Sequence, residues 1–325
     1  LNIAEEIKKP IAEEFRLFEE AFDAALVTDN PLLQSALDYI KQQRGKQLRP
    51  ILVLLAAKMC HGVSEKTIQT AVALELLHTA SLVHDDVVDN SPTRRGADSV
   101  NARWNNKVAV LVGDYLLAKV IEITANLRNL KILNIVSEMG RTLSSGELLQ
   151  LHADSSLWIT EDDYYRVIDQ KTAALFAACT QAGAASSGGT MHQETALRTF
   201  GRELGLIFQL KDDVLDYSEQ EIGKPTMSDI ADGKATLPLI VALHRAPHEE
   251  AERIRRVAEE AAKDATQKAL SEIYSFVLRY EGVRYCEKQM QLHKDKALDA
   301  LSSFHDNPVK GALQQLLQYT IIRSY

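Results

Sequence analysis

Two short runs, HDDVVD at 84–89 and KDDVLD at 211–216, each set three aspartates into stretches that are otherwise apolar and helical in spacing. At about 100° per helical residue, Asp85, Asp86 and Asp89 span a single arc, and His78 and Ser81 carry that face toward the helix start. Leu76, Leu77, Leu82 and Val83 occupy the other faces, so the stripe lies on a core helix with its carboxylates at the mouth of a bundle. Asp212, Asp213 and Asp216 repeat the arrangement, and Gly201, Gly205 and Phe208 share the sector of Asp212; close helix packing accounts for those glycines equally well. Clustered carboxylates repel unless something positive lies between them. A hard divalent cation, Mg2+ above all, suits an all-oxygen set completed by water and phosphate. A lone DDxxD would read as readily as an internal Asp–Arg cluster; a pair of them favours the metal.

The rest of the chain reads as helix. Only 8 prolines and 15 glycines interrupt 325 residues rich in Ala, Leu, Glu, Gln and Lys, and no strand-turn-strand pattern stands out. With no linker-like stretch, the expectation is an all-α, single-domain bundle of roughly ten or more helices over residues 1–325. A net charge of -8 argues against a nucleic-acid partner. Cys60, Cys179 and Cys286 lie far apart, which suits free thiols in a reducing, cytoplasmic setting. No apolar run approaches the length of about 20 residues that spans a bilayer, and the charged start LNIAEEIKKP is unlike a signal peptide.

In chain order, residues 1–27 are expected as one amphipathic helix, ended by TDNP. A second begins near Leu32 and is broken at Gly45; an apolar helix covers 51–60, and Ser64 caps the helix that carries the first aspartates. Two helices fill 107–150, Gln150 lines the site, and Lys171 and Thr172 open an Ala-rich helix ending at SSGGT. Residues 217–236, with Lys224, Asp229, Asp232 and Lys234, read as a lid, a solvated loop being the alternative. His244, His248, His293 and His305 lack ligand spacing, and Arg323 is read as part of an exposed terminus.

Cations gather at two points. Lys46 and Arg49 flank the break at Gly45, and Arg94 and Arg95 follow Asp89 in a loop that can fold back over the stripe. Arginine forks suit phosphate oxygens. Carboxylates for metal beside arginines for phosphate are the parts of a diphosphate–metal site.

Taken with GKQLRP at 45–50, ELLHTASLVHDDVVD at 75–89, GDYLL at 113–117, GELLQL at 146–151, KTAALF at 171–176, FQLKDDVLD at 208–216 and GKPTMSDIADGKATLPL at 223–239, the chain resembles the trans-type polyprenyl diphosphate synthases over nearly its whole length. The resemblance implies the isoprenoid synthase fold, helices around a central substrate cavity. It implies that Asp85, Asp89 and Asp212, supported by Asp86, Asp213 and Asp216, hold Mg2+, up to about three ions per site, with Mn2+ as a substitute. Arg94, Lys171, Thr172, Gln209, Lys224 and Lys234 would meet the allylic prenyl diphosphate, with Phe208 beside its reacting end. Lys46, Arg49, His78 and Arg95 would bind isopentenyl diphosphate. Asp85, Asp89, Lys171, Asp212 and Lys234 would form the catalytic set, and His84 would orient its neighbour Asp85. A homodimer is usual in the family.

The implied chemistry is a head-to-tail (1'-4) condensation repeated on a growing chain. Metals and cations aimed at the departing diphosphate neutralise its charge, and a dry cavity keeps the allylic cation from water. The departing diphosphate takes the final proton. In the family, large aromatics just upstream of the first aspartate accompany short products; Ala80 and Ser81 are small here, and with Leu77 they mark a long tunnel. A long-chain product of octaprenyl to decaprenyl length, made from farnesyl or geranylgeranyl diphosphate for a quinone side chain, is therefore expected, and such a product draws the enzyme to the membrane periphery. The alternatives are a short-chain farnesyl or geranylgeranyl diphosphate synthase and a non-catalytic subunit of a heteromeric synthase.

Overall fold

The computed structural model describes residues 3–154, 158–218 and 227–324. Where one N-terminal helix was expected, Pro10 interrupts it: a one-and-a-half-turn helix, Ile3–Lys8, passes through a 3-10 turn at Lys9–Ile11 into α1, Ala12–Ala25. Proline removes an amide donor and crowds the preceding turn. Helix α2, Pro31–Gln42, starts with proline at its first position and the Asn30 side chain accepting from Leu33 N at 3.1 Å. Helix α3, Leu48–Cys60, is entered through Gln47, whose φ of 51° is left-handed.

Helix α4, Glu65–Val88, opens on a capping box in which Ser64 accepts from Thr67 N and Thr67 Oγ1 accepts from Ser64 N at 3.2 Å. Past its end the chain makes the one short hairpin of the described residues, β1, Thr93–Arg94, against β2, Ala97–Asp98. The composition gave no sign of it, because two-residue strands leave no alternating pattern. Then follow α5, Asn106–Asn126, and α6, Leu130–Asp154. Helix α7, Glu161–Ile168, capped by Thr160, runs through a π-helical turn, Asp169–Ala173, into α8, Ala174–Ser186. Lys171 and Thr172 thus sit inside a continuous helical segment and do not open one. Helix α9, Met191–Asp216, carries the second stripe; beyond it, in place of a wholly irregular stretch, Ser228–Ala231 forms one helical turn. The chain closes with α10, Leu237–Arg245, α11, His248–Ala261, α12, Gln267–Arg279, α13, Gly282–Ala300, and α14, Pro308–Ile322.

The chain divides into two compact units whose boundaries fall inside α6, α8, α9 and α14. The first holds residues 1–141, 176–201 and 301–315. Its spine is α4, packed on α5, α3 and α1, around buried Phe18, Leu52, Leu55, Leu74 and Leu76. At Gly113 of α5 the His84 ring lies so close that an added Cβ would stand 2.2 Å from Nε2, so only glycine lets α4 and α5 meet there. The second unit holds 142–175, 202–300 and 316–325; in it α10 packs on α13 and α12, and α11 on α12, around Leu239, Ile254, Ile273, Phe276 and Val277. Among the described residues no helix is long and apolar enough to cross a membrane.

Candidate active site

In the first unit, α4 ends on its aspartates: Asp89 is the C-cap, and its N–H donates to the Asp85 carbonyl at 2.8 Å. Asp86 points inward and is buried. The hairpin returns Arg94 over it, with Nε 2.9 Å from Asp86 Oδ1 and Nη2 on the same oxygen, while Asn101 donates to the Asp86 carbonyl at 3.2 Å. The Asp–Arg cluster that the sequence left open thus exists for one aspartate, and Asp85 and Asp89 stand outside it, half-buried and exposed.

Beside this lies a basin rich in arginine. Arg95, held at the hairpin turn with φ 53°, reaches back so that Nη1 donates to Gln43 O at 2.6 Å. Gly45 makes room for it: an added Cβ there would meet the guanidinium at 2.7 Å. Arg44, Gln47, Glu75, His78, Arg94 and Arg95 line a cavity of about 60 Å³. Arg49 lies with its guanidinium 5.4 Å from the Phe176 ring centroid. Arg44 Nε, Gln47 Nε2, Arg49 Nε and Glu75 Oε2 are buried without a hydrogen-bond partner, so polar groups here await one. Burial pushes His78 well below the usual imidazole range, and Arg49, Arg95 and Arg94 push it further. It is therefore a neutral donor at physiological pH, and the positive charge comes from arginine. Burial likewise lowers Arg49 and raises Glu75, each opposed by its attraction to the other. Glu75 was absent from the sequence-derived site.

In the second unit, α7, the π turn, α9 and the segment after it enclose a cavity of about 170 Å³ lined by Gln150, Tyr164, Lys171, Thr172, Gln209, Asp213, Asp229 and Lys234, among others. The wider π turn suits a functional site and brings Lys171 Nζ to 3.0 Å from Glu147 Oε2. Thr172 Oγ1 donates to Gln209 Oε1 at 3.1 Å, and Gln209 Nε2 to Asp213 Oδ1 at 3.1 Å; the Tyr164 hydroxyl closes on Asp213 Oδ2. Asp216 is buried and committed: Oδ1 accepts from Ser228 N and Oγ, each at 2.8 Å, and Oδ2 from Asp229 N at 3.1 Å. Asp212, still 42% exposed in its side chain, meets Arg323. That arginine is not on an exposed terminus; it is buried, donates to Phe208 O at 2.9 Å and covers the Phe208 ring at 4.1 Å. Lys224 lies outside the described residues.

The six aspartates therefore divide. Asp86, Asp213 and Asp216 are buried and hydrogen-bonded, whereas Asp85, Asp89 and Asp212 keep solvent contact. Burial pushes Asp213 up to about 7, the Tyr164 and Gln209 bonds pulling the other way. Asp229, another residue missing from the sequence-derived set, is pushed up to about 6 by burial and by Asp216, against Lys234. Crowded carboxylates of this kind fit a hard divalent cation, which relieves their repulsion. Among the described residues no three His, Cys, Asp or Glu side chains form a metal cluster by themselves. Mg2+ often takes only one or two carboxylates and fills its shell with water and substrate phosphate. Of the tunnel residues, Leu77 and Ala80 are buried, and Ser81 turns its hydroxyl onto the His78 carbonyl at 2.9 Å.

A model of the polyprenyl synthetase family matches residues 30–277. The chain is 37% identical to an octaprenyl diphosphate synthase of Haemophilus influenzae over 99% of its own length and 97% of that protein's. Among solved structures, a decaprenyl diphosphate synthase from Rhodobacter capsulatus superposes with a TM-score of 0.92 at 32% identity, covering 99% of both chains. A polyprenyl synthase from Caulobacter crescentus, crystallised with calcium and isoprenyl diphosphate, gives 0.89 at 31% identity, covering 99% of this chain and 98% of that one.

Proposed function

Because the chain belongs to the polyprenyl synthetase family, we propose that it is a prenyltransferase that condenses isopentenyl diphosphate repeatedly onto an allylic diphosphate to give a long-chain all-trans polyprenyl diphosphate. The observation that carries this reading is the division of the aspartates: in each stripe the buried members brace the helix end and leave other carboxylates exposed to a ligand. Asp85 and Asp89 in the first unit and Asp212 in the second are the residues that would hold Mg2+. Once bound, the metal neutralises the diphosphate that departs from the allylic substrate.

The chain's own groups supply the rest. Lys171 and Lys234 bring cationic heads to the cavity that Thr172 and Gln209 line, where they would grip the allylic diphosphate. Arg95, Arg49 and Lys46, with neutral His78 donating a hydrogen bond, would bind isopentenyl diphosphate; the unpartnered Arg49 Nε and Gln47 Nε2 support this. Arg94, spent on Asp86, would act on substrate through that aspartate's helix end. The growing hydrocarbon would run past Ser81 toward Ala80 and Leu77. Ser81 suits an apolar path because its hydroxyl is already satisfied by its own helix.

We read 1–325 as one functional domain, since the two units share helices. Val110, Leu111 and Ile121 are exposed on α5, and a second copy of the chain is the partner that would cover them. The experiment is incubation with Mg2+, isopentenyl diphosphate and farnesyl diphosphate, then mass spectrometry of dephosphorylated products beside an Asp85→Ala control. Linear products of about eight prenyl units or more, lost in the variant by a factor of about 1,000, support the reading. Products ending at three or four units would make it a short-chain synthase, and none at all would point to a non-catalytic subunit.

A further inference from the structure

Four side chains in the second unit form a closed brace. Tyr164 and Thr172 project from one continuous helical segment, α7 and its π turn. Gln209 and Asp213 project one turn apart from α9. Tyr164 pairs with Asp213, Asp213 with Gln209, and Gln209 with Thr172. All four line the same cavity as Lys171.

The direction of each bond follows from its neighbour. An ionised carboxylate only accepts, so Gln209 must present its amide NH2 to Asp213 Oδ1 and its carbonyl to Thr172. The threonine hydroxyl must then donate, which leaves its oxygen lone pairs facing elsewhere. What fixes Asp213 is the hydroxyl of Tyr164, which is 4% exposed beside a carboxylate that is 1% exposed. Without it, Asp213 Oδ2 would be buried with no donor, and the carboxylate would turn to seek one, taking the Gln209 amide with it.

We propose that Tyr164 is a positioning residue for prenyl transfer, acting through Asp213 to set the amide orientation of Gln209 and the hydroxyl of Thr172 where the allylic substrate reacts. It rests on the reading of this cavity as the allylic site. The effect is on the chemical step, because the brace holds groups in place and supplies no charge of its own to bind diphosphate. Asp213 is on this account an anchor and not a ligand that must be stripped from its partners.

The test pairs a structural arm with a kinetic one. Crystal structures of the wild type and Tyr164→Phe are compared for the Gln209–Thr172 contact. Steady-state kinetics follow for Tyr164→Phe, Thr172→Val, the double variant, and Tyr285→Phe as a control that loses a tyrosine–carboxylate bond to Glu161 outside the brace. The expected result is loss of the contact in Tyr164→Phe, a fall of about tenfold in kcat with KM for both substrates within about twofold, and a double variant no worse than about twofold below the worse single one. Tyr285→Phe should keep wild-type kcat. An intact Gln209–Thr172 contact in Tyr164→Phe overturns the proposal. So does a multiplicative double variant, or a rise in KM with kcat unchanged. A lost contact in a wild type that forms no prenyl product would sustain the positioning and sink the reading of the cavity instead.

Discussion

Arg323 Nη2 stands 2.6 Å from Asp212 Oδ1, joining the last helix to the first aspartate of the second stripe. The guanidinium side chain is 9% exposed and the carboxylate 42%, so the pair is held from the arginine side and open from the aspartate side. A cation arriving at Asp212 meets a carboxylate that already carries a positive neighbour.

Replacing that neighbour should sharpen metal binding. After allowance for solvent at Asp212, the ion pair is worth about 1 kcal/mol, or about fivefold in an equilibrium. Arg323→Gln is expected to lower the Mg2+ concentration for half-saturation about fivefold in calorimetry with inorganic diphosphate present. An unchanged or weaker affinity would mean that Arg323 does not compete.

Gly45 offers a second handle, on the arginine basin. In Gly45→Ala the new methyl would meet the tip of Arg95, which is flexible and can swing away. Stability should change by no more than about 1 kcal/mol, while KM for isopentenyl diphosphate rises about tenfold with KM for the allylic substrate unaltered. A rise in both constants alike would remove Arg95 from that specific task.

His78 governs an acid-side effect whose sign is fixed by the direction of its shift. Its folded pKa lies below the ordinary value of 6.5, so the unfolded chain binds the proton more readily, and His78 contributes stability that is complete above about pH 6.5 and lost as pH falls below it. Glu75, shifted upward from 4.5, works in the opposite sense as pH rises from that value, so the two must be separated by substitution. Urea melts of wild type and His78→Gln between pH 7.5 and 5 should converge on the acid side, by on the order of 1 kcal/mol, toward the variant. Parallel curves would show that His78 protonates freely.

Ala80 is wholly buried on α4. Ala80→Phe should cost about 1 to 3 kcal/mol in overpacking and shorten the product to about four prenyl units, as read by mass spectrometry. An undiminished product length would place the hydrocarbon elsewhere.

Much of this was legible in the chain because it is local. The aspartate stripes, the Ser64 cap and the break at Gly45 depend on residues a few positions apart, and each appears where spacing and propensity put it. What escaped depends on distant partners. Tyr164 sits in the run EDDYYRVI, whose pattern shows which face is buried and not that its hydroxyl meets Asp213 far along the chain. Glu75 looked like one more helix-forming residue until Arg49, Arg95 and Arg44 surrounded it. Arg323 was read from its place near the end of the chain, where side chains are commonly solvated; its site on Phe208 is a matter of tertiary packing.

Asp216 ties down both ends of the segment that follows it. Its carbonyl accepts from Met227 N at 3.1 Å, and its carboxylate holds Ser228 and Asp229. Whatever the number of residues between 217 and 227, the chain re-enters the fold at the same point, and Lys234 is measured from there. Doubling the length of such an excursion costs only about 0.6 kcal/mol. Insertions and deletions in this interval should therefore be an inexpensive route of divergence among related enzymes, altering what covers the cavity without resetting the lysine that lines it.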